Sequence, residues 1–244
     1  YPAKGRGGFW EDNDMKKQTH EKSIQAWEAN AEFWDNYMGD ESNQFHREVV
    51  RPRINELLDI KDGDFILDVA CGNGNYSAYM AERKANVVAF DYSKKMIELA
   101  KKRQERFLDK IEFYVIDATS KTELLSLKKV RCYNKAVSLM AIMDISNIIP
   151  LFQSLNELLE ENGIFVFATQ HPCFVTLTDK YLSAHSYLGE AILGQPQLHN
   201  YYHRSLQDIF HVCFMHGFVI DGFYEENFKH KEKPDIIIVR VRKQ

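Results

Sequence analysis

The hydrophobic positions in the first quarter of the chain follow the spacing of amphipathic helices. The first apolar stripe falls at Ile24, Trp27, Ala31, Trp34 and Met38. Residues three or four apart share one helix face, so the stripe predicts a helix over residues 19–38 that ends at Gly39. A second stripe predicts a helix over residues 44–59, with a kink or break near Arg51 because Pro52 cannot continue a regular helix.

From Asp64 onward the pattern changes to short apolar runs that alternate with amphipathic segments. The runs predict strands at residues 65–69, 86–91, 111–117, 135–140 and 164–169. The segments between them predict helices at residues 75–84, 94–107 and 147–160. Ser93 is suited to cap the second of these helices. Runs that are apolar on both faces are typical of parallel strands covered by helices on both sides.

The region after the fifth predicted strand breaks this rhythm. Residues 171–203 are rich in histidine and tyrosine and predict an insertion or lid. A helix over residues 205–216 follows, and then two closing strands at residues 219–223 and 236–241. The predicted fold is therefore α/β, with a doubly wound, mostly parallel seven-stranded sheet, an N-terminal helical cover and a lid insertion.

The composition narrows the class of protein. The chain has 244 residues, 45% of them hydrophobic, and a formal net charge of -4. This charge gives no general footprint for nucleic-acid binding, although a local basic patch is compatible with it. The four cysteines show neither a CxxC pair nor zinc-ligand spacing, so we expect free thiols in the cytoplasm and no metal site. Apolar runs are shorter than a membrane span of about 18 residues, and the N-terminal segment lacks a signal-peptide core.

The end of the first strand carries an unusual turn, D-V-A-C-G-N-G at residues 68–74. Its two glycines permit a sharp turn and close approach to a ligand. No lysine follows as in a phosphate loop, and Ser77 stands where a G-x-G-x-x-G motif needs its third glycine. The carboxylate of Asp68 disfavours an anion at this point and favours a cationic group.

Two further strand ends carry acids. Asp91 is placed to accept hydrogen bonds from ribose hydroxyls, and the alternative is a solvated strand end. Asp117 is placed to accept from an exocyclic amine, and the alternative is a helix N-cap. Together with Asp68 they predict a nucleoside with a cationic or zwitterionic tail and no phosphate, a description that fits S-adenosylmethionine.

At this point the chain resembles the class I S-adenosylmethionine-dependent methyltransferases, which have a Rossmann-like fold. The matching segments are residues 68–74, 87–93, 114–118 and 158–167. The family's usual loop has a glycine where this chain has Ala70, a tolerated departure. The core resemblance covers residues 64–170, and its flanks are similar to a subgroup of small bacterial-type members.

The resemblance implies a set of cofactor-binding residues. Asp68 and Gly72 would hold the methionine amino end, Asp91 the ribose, and Asp117 with Ala118 the adenine edge. The full predicted set is Tyr37, Phe45, Asp68, Ala70, Cys71, Gly72, Asn73, Gly74, Asp91, Tyr92, Met96, Asp117, Ala118 and Met140.

Several residues outside this set admit two interpretations. Tyr37 and Phe45 would cover the cofactor, with His46 and Arg47 as additions. Trp27 and Trp34 are interpreted as core residues, whereas the odds for Tyr37 as core or cover are even.

The residues after the fifth strand are also ambiguous. His171 is the candidate general base, and the alternative is a packed residue that orients the Pro172 turn. Arg204 either clamps a substrate carboxylate or caps a helix, with the second favoured. The histidines at 185, 199 and 203 lack metal-ligand spacing.

The resulting segments are a flexible leader at 1–18, a helical cover at 19–62, a cofactor-binding core at 63–170, a lid at 171–204, and a C-terminal helix with closing strands at 205–244. Residues 1–14 precede Met15 in an oddly composed stretch, which indicates a vector-derived leader or a native extension.

The predicted function is methyl transfer from S-adenosylmethionine to an unidentified small-molecule acceptor, with S-adenosylhomocysteine as product. Three alternatives stay open. A nucleic-acid or protein methyltransferase would need a basic surface on the helix at residues 94–107. A non-catalytic cofactor-binding module would lack an acceptor cavity. A nicotinamide dehydrogenase would bind NAD instead. No membrane or nucleic-acid partner is expected.

Overall fold

The computed structural model describes residues 13–176, 178–229 and 232–244. The helices are α1 (Asn13–Met38), α2 (Arg51–Leu58), α3 (Asn75–Glu82), α4 (Lys94–Arg103), α5 (Lys121–Leu125), α6 (Ile149–Leu158) and α7 (Leu206–Met215). The strands are β1 (Phe65–Val69), β2 (Asn86–Asp91), β3 (Ile111–Val115), β4 (Tyr133–Leu139), β5 (Leu159–Gln170), β6 (His185–Gly189), β7 (His199–His203), β8 (Phe218–Glu226) and β9 (Ile236–Lys243).

A seven-stranded sheet in the order β3-β2-β1-β4-β5-β9-β8 forms the centre of the molecule. The first five strands in this order are parallel to one another, and β9 runs antiparallel to both β5 and β8. The predicted doubly wound, mostly parallel seven-stranded sheet is therefore confirmed. The chain proceeds from β1 outward to β3 and then returns to β4 on the other side of β1. This reversal places a crevice at the carboxyl ends of β1 and β4, where open α/β sheets bind ligands.

Both faces of the sheet are buried, as the apolar runs predict. One core packs Leu67, Phe165 and Phe167 against α6 and α7. The other packs Ile66, Val137 and their neighbours against α2 and α3. Successive residues of a strand point to opposite faces, so a strand between two layers of helices must be apolar throughout.

The N-terminal cover differs from its predicted boundaries. Helix α1 begins at Asn13, so residues 13–18 of the predicted leader belong to this helix, and residues 1–12 lie outside the described residues. The predicted kink or break near Arg51 corresponds to a change of helix type and not to a break: a π-helical turn at His46–Val50 runs directly into α2, and the backbone of Val50 and Arg51 stays helical. Pro52 lies in the first turn of α2, directly after the π-helical turn, and it has no N–H to donate to the preceding turn.

Other helix ends follow local sequence signals. The predicted N-cap at Ser93 is confirmed, since its side chain accepts a hydrogen bond from the Met96 N–H at 3.0 Å. Helix α4 stops at Arg103, short of the predicted residue 107, and a separate short turn follows. Helix α5 was not predicted, because five residues are too few to show a helical period.

The lid segment contains regular structure that its composition does not reveal. Strands β6 and β7 pair in antiparallel fashion, from His185 opposite His203 to Gly189 opposite His199, and form a separate two-stranded sheet. We call this unit, residues 185–203, the lid hairpin. In the part of the chain that the structure describes, no helix is long and apolar enough to cross a membrane.

Candidate active site

A cavity of about 460 Å³ lies at the carboxyl ends of the central strands. Sites for small ligands have volumes of about 300–1,000 Å³. The turns after β1, β2, β3 and β4 line one side, and α1, the π-helical turn and the lid hairpin line the others. The structure brings all of the predicted cofactor residues to this cavity except Tyr37 and Gly74.

The turn after β1 has a left-handed backbone at alternate positions. Ala70, Gly72 and Gly74 have φ values of +54°, +57° and +72°, a region that favours glycine. A Cβ on Gly72 would lie 2.9 Å from the ring of Trp34, and one on Gly74 would lie 2.8 Å from Phe113. The two glycines are thus required by neighbouring aromatic rings, whereas Ala70 accommodates the strained conformation with a methyl group.

Asp68 is a buried carboxyl at the base of the cavity. Its Oδ2 accepts a hydrogen bond of 2.5 Å from the Ser77 hydroxyl on α3. Burial raises the pKa of Asp68 to about 7, the Ser77 bond opposes the rise, and nearby Asp91 adds to it. Burial disfavours the ionised form of this carboxyl because it removes the hydrating water. A cationic group beside it would stabilise that ionised form.

Asp91 closes the glycine-rich turn from the end of β2. Its Oδ2 accepts from the Gly72 N–H at 3.1 Å, and its Oδ1 accepts from the Ser93 N–H at 3.0 Å. Burial raises its pKa to about 6, and the two backbone bonds oppose the rise. Each carboxyl oxygen keeps a further lone pair, so Asp91 can accept bonds from two adjacent hydroxyls.

Asp117, after β3, already has partners in the structure. It accepts from His20 of α1 at 2.6 Å and from the backbone and hydroxyl of Thr119 at 2.8 Å each. Burial disfavours its charge, but these bonds outweigh that effect and hold the pKa of Asp117 below its ordinary value. Asp117 therefore forms a turn with Thr119, while Ser120 caps α5. The bond to Asp117 also raises the pKa of His20, a cavity residue that sequence reasoning missed.

The inner face of α1 covers the cavity with different residues from those expected. Tyr37 is 55% exposed and lies outside the cavity lining. His20, Trp27, Trp34 and Met38 line it instead. The two tryptophans belong to the apolar stripe that predicted the helix. In this helix the stripe forms the wall of a cavity, although the same spacing is typical of a face packed in a core.

The π-helical turn supplies an aromatic and basic corner. Phe45 and His46 line the cavity, and burial lowers the pKa of His46 to about 4, so its ring is neutral. Arg51 lines it too, and its Nη2 donates to the Ser42 hydroxyl at 2.7 Å. The Nε of Arg51 is buried and has no hydrogen-bond partner among the described residues. Arg47 instead donates to the Ser42 carbonyl, outside the lining.

His171 does not occupy the position expected of a general base. It is 1% exposed and is absent from the cavity lining. Its Nε2 lies 2.7 Å from Glu225, and its Nδ1 accepts from the Cys173 N–H at 3.2 Å. With both ring nitrogens engaged, His171 has the surroundings of the alternative interpretation, a residue that orients the Pro172 turn.

The loop after β4 brings two side chains to the cavity. Met140 lines it with a left-handed φ of +55°, and Asp144 lines it four residues later. Arg204 anchors this loop, because its guanidinium donates to the carbonyls of Ile142 at 3.2 Å, Ile145 at 2.5 Å and Ser146 at 2.9 Å. Arg204 thus caps backbone carbonyls at the end of a short 3-10 helix, Ile142–Asp144, as the helix-cap interpretation predicts.

The lid hairpin closes the cavity and is fastened to α1. The side chain of Asn30 donates to the Gln197 carbonyl at 2.7 Å and accepts from the Gln197 N–H at 2.9 Å. The Ser23 hydroxyl lies 3.2 Å from that of Tyr202. The hairpin contributes Glu190, Ala191 and Ile192 from its connecting loop, and Tyr201 from β7, to the lining.

The comparisons with known proteins agree with this architecture. Residues 60–209 match the sequence model of a family described as Methyltransferase domain. The structure of magnesium protoporphyrin IX methyltransferase from Synechocystis, with bound SAH, aligns with a TM-score of 0.62 and 17% identity. That alignment covers 92% of this chain and 100% of the other, and at this identity it shows the fold.

The curated relatives match only in part. An uncharacterized protein of Methanocaldococcus jannaschii is 29% identical over 125 residues, which cover 51% of this chain and 43% of the relative. Phosphoethanolamine N-methyltransferase 1 of Zea mays is 37% identical over 91 residues, which cover 37% of this chain and 17% of that enzyme. Other partial matches are named as ribosomal RNA methyltransferases. The chain thus spans less than half the length of the curated relatives it matches.

Proposed function

This chain belongs to the methyltransferase domain family, and we propose that it transfers the methyl group of S-adenosylmethionine to a small-molecule acceptor. The observation that carries the proposal is the arrangement of Asp68, Asp91 and Asp117 at adjacent strand ends around one cavity of about 460 Å³. S-adenosylmethionine supplies an activated methyl group, so much of the enzyme's work is alignment and exclusion of water.

The residues fit the zwitterionic end of this cofactor. Burial raises the pKa of Asp68, and an ammonium group beside it would restore its charge. Among the described residues the buried Nε of Arg51 has no hydrogen-bond partner, and a carboxylate is the acceptor that a guanidinium binds best. Asp68 and Arg51 would thus hold the amino and carboxyl groups of the methionine tail.

The nucleoside end would lie along β2 and β3. Asp91 would accept the two ribose hydroxyls while the bonds from Gly72 and Ser93 keep its carboxyl in place. Tyr92, Met96 and Ala118 form the neighbouring wall that would pack on adenine. Asp117 would accept a hydrogen bond from adenine, and the adenine would compete with His20, which already donates to this carboxylate.

A small acceptor is supported by the size of the cavity, about 460 Å³, and by the charges outside it. A nucleic-acid substrate would use the basic residues of α4, but three of these five residues have acidic partners. Lys95 lies 2.9 Å from Glu32, Lys94 lies 3.8 Å from Glu98, and Arg103 binds Asp35 at 2.7 Å. The relatives with partial matches include both rRNA methyltransferases and phosphoethanolamine methyltransferases, so they do not distinguish the two kinds of acceptor. The proposal of a small acceptor therefore depends on the cavity.

We further propose a cytoplasmic location, supported by four free cysteine thiols. Fractionation of the native host tests this location, and finding the protein in the secreted fraction would contradict it.

Calorimetry with S-adenosylmethionine, S-adenosylhomocysteine and NAD tests the cofactor assignment. We expect micromolar or tighter binding of the first two and none of NAD. The acceptor class is then tested by S-adenosylhomocysteine release over small amines, phenols, thiols and carboxylic acids, with total RNA as the macromolecular arm. Tight NAD binding without S-adenosylmethionine binding would overturn the proposal, and release with RNA alone would overturn the small acceptor.

A further inference from the structure

Two buried polar atoms face each other between the loop after β4 and the lid hairpin. The Nε2 of His199 lies 3.2 Å from the Oδ1 of Asp144. The His199 side chain is 0% exposed and that of Asp144 is 13% exposed. Neither atom has a hydrogen-bond partner among the described residues, so the approach is an electrostatic contact and not an aligned hydrogen bond. Unsatisfied buried polar atoms are rare and often mark functional sites.

The hydrogen-bond network behind His199 fixes its tautomer. Gln195 Oε1 accepts from the backbone N–H groups of Ala191 at 2.9 Å and Ile192 at 3.2 Å, which sets the orientation of the amide. Gln195 Nε2, a donor only, lies 3.0 Å from His199 Nδ1. The Nδ1 must therefore accept, and in a neutral ring the proton sits on Nε2, facing Asp144.

Asp144 stands where a carboxylate can meet both the cofactor and an acceptor. It lines the cavity between Met140, at the end of β4, and the residues of the lid hairpin. Strand β4 lies between β1 and β5 in the sheet, so its end separates the predicted cofactor turns from the lid. The anchor that Arg204 provides to Ile142, Ile145 and Ser146 holds this carboxylate in place.

The charge of the lining favours cationic contents. The described lining residues include the guanidinium of Arg51 and the imidazole of His20, which is paired with Asp117, against the further carboxyls of Asp68, Asp91, Asp144 and Glu190. S-adenosylmethionine alone, with two cationic groups and one anionic group, would not balance this set. An acceptor with an acidic group would meet further repulsion, whereas an ammonium group would relieve it.

We propose that the acceptor is a small amine and that Asp144 binds its nitrogen and accepts its proton, with His199 as a positioning residue. This inference rests on the proposed methyl-transfer function. Burial raises the pKa of Asp144 and so makes its carboxylate a stronger base.

The proposed step balances in atoms and charge. The Asp144 carboxylate takes one proton from the bound ammonium group and leaves a nitrogen lone pair. That nitrogen bonds to the methyl carbon, and the electron pair of the breaking carbon–sulfur bond stays on sulfur. The products are a methylated ammonium and neutral S-adenosylhomocysteine, and the Asp144 proton returns to solvent.

His199 supports Asp144 from outside the cavity lining. The rings of Trp27 and Tyr201 lie 4.7 and 4.5 Å from the His199 ring and hold it against movement. Its Nε2–H faces the carboxylate and stabilises the negative charge, so the carboxylate can be ionised before an ammonium arrives.

The test uses sinefungin, an analogue that carries an amine at the position of the transferred methyl group. Its affinity relative to neutral S-adenosylhomocysteine is measured by calorimetry in the full chain. We expect the isosteric Asp144→Asn to weaken sinefungin about tenfold or more while S-adenosylhomocysteine changes less than about twofold, as for loss of a charge-assisted hydrogen bond. The matched control Asp109→Asn removes an exposed carboxyl outside the cavity lining and should change the ratio less than about twofold. An unchanged ratio in Asp144→Asn overturns the proposal.

Two further arms separate the roles. His199→Leu should lower the sinefungin preference about threefold, and His199→Gln, which retains an N–H donor, should restore it. A ratio lowered equally by both variants would assign His199 to packing alone. In the acceptor screen, a phenol or carboxylic acid methylated faster than any amine would also overturn the inference. If S-adenosylhomocysteine fails to bind the wild-type protein, the proposed function fails instead.

Discussion

The cavity has two walls that are built in different ways. The wall formed by the strand ends is held by bonds between residues close in sequence, such as Ser77 to Asp68 and Ser93 to Asp91. The wall formed by α1 and the lid hairpin is held by bonds between residues far apart, such as Asn30 to Gln197. The first wall can form as neighbouring strands pair, whereas the second requires two segments far apart in the chain to meet. We therefore expect the first to be rigid and to hold the cofactor, and the second to open for exchange of ligands.

The largest expected effect comes from overfilling the strand-end wall. Gly74→Ala would place a Cβ 2.8 Å from Phe113 at a φ of +72°, so we expect the free energy of unfolding to fall by about 2–4 kcal/mol. Urea denaturation measures this loss. The matched control is Gly39→Ala, with a φ of +57° and no atom within 4 Å of the added Cβ, which should lose only about 1 kcal/mol. Equal losses would show that the strain is purely conformational.

Mutations in the two walls should differ in how much they weaken cofactor binding. Asp91→Ala should weaken S-adenosylhomocysteine at least about tenfold, or about 1.4 kcal/mol, because the ribose loses a charge-assisted hydrogen bond. Asn30→Ala, on the other wall, should change this affinity less than about twofold. Calorimetry on both variants makes the comparison, and an unchanged affinity in Asp91→Ala would remove Asp91 from the site.

The pH dependence of S-adenosylmethionine binding should also arise from carboxyls in the strand-end wall. Since the pKa of Asp68 is raised to about 7 and that of Asp91 to about 6, both carboxyls lose protons as pH rises. An ammonium group binds the ionised form, so ionisation of Asp68 should raise the affinity for S-adenosylmethionine about fivefold between about pH 6.3 and about pH 8. Asp68→Asn should flatten the profile, and a flat wild-type profile would contradict the assignment.

The same shifts predict the stability of the unliganded protein. Unfolded carboxyls titrate near pH 4, and the folded ones hold their protons to higher pH. The contribution of these two carboxyls to stability therefore falls as pH rises from about 4 to about 7, and bound cofactor should reverse this contribution. Thermal melting with and without S-adenosylhomocysteine and S-adenosylmethionine checks the sign, and the cationic ligand should have the larger effect.

The smallest effect is expected at the lid hairpin. Asn30→Ala removes both side-chain bonds to Gln197, and we expect the hairpin to open more readily by about 1 kcal/mol. Hydrogen exchange should become roughly fivefold faster in β7, with little change in β1. Equal acceleration in both strands would show that the walls unfold together.

The sequence predicts these two walls unequally, for a physical reason. Asp68, Gly72 and Asp91 belong to short contiguous motifs at strand ends, and strand direction alone brings them to one edge of the sheet. Asp144 and His199 lie 55 positions apart on a loop and a hairpin, so nothing local marks them as neighbours. His20 likewise reaches Asp117 only because α1 crosses the strand ends.

The tryptophans of α1 show a second limit. Trp27 and Trp34 have the period of a helix face that is removed from water, and this period is the same whether the face meets a core or a ligand. Only the position of the helix over the strand ends distinguishes the two. The sequence-based prediction that Tyr37 covers the cofactor chose a neighbouring face of α1, and this face is exposed to solvent.

The bond between Asn30 and Gln197 has a consequence for how sequences of this kind can vary. The amide of Asn30 pairs with the backbone N–H and carbonyl at position 197, and the side chain there is exposed. The hairpin can therefore accept almost any amino acid at 197 other than proline, whereas position 30 requires a short amide. A saturation library scored for activity should show one intolerant position opposite one permissive position, although both contribute to the same contact.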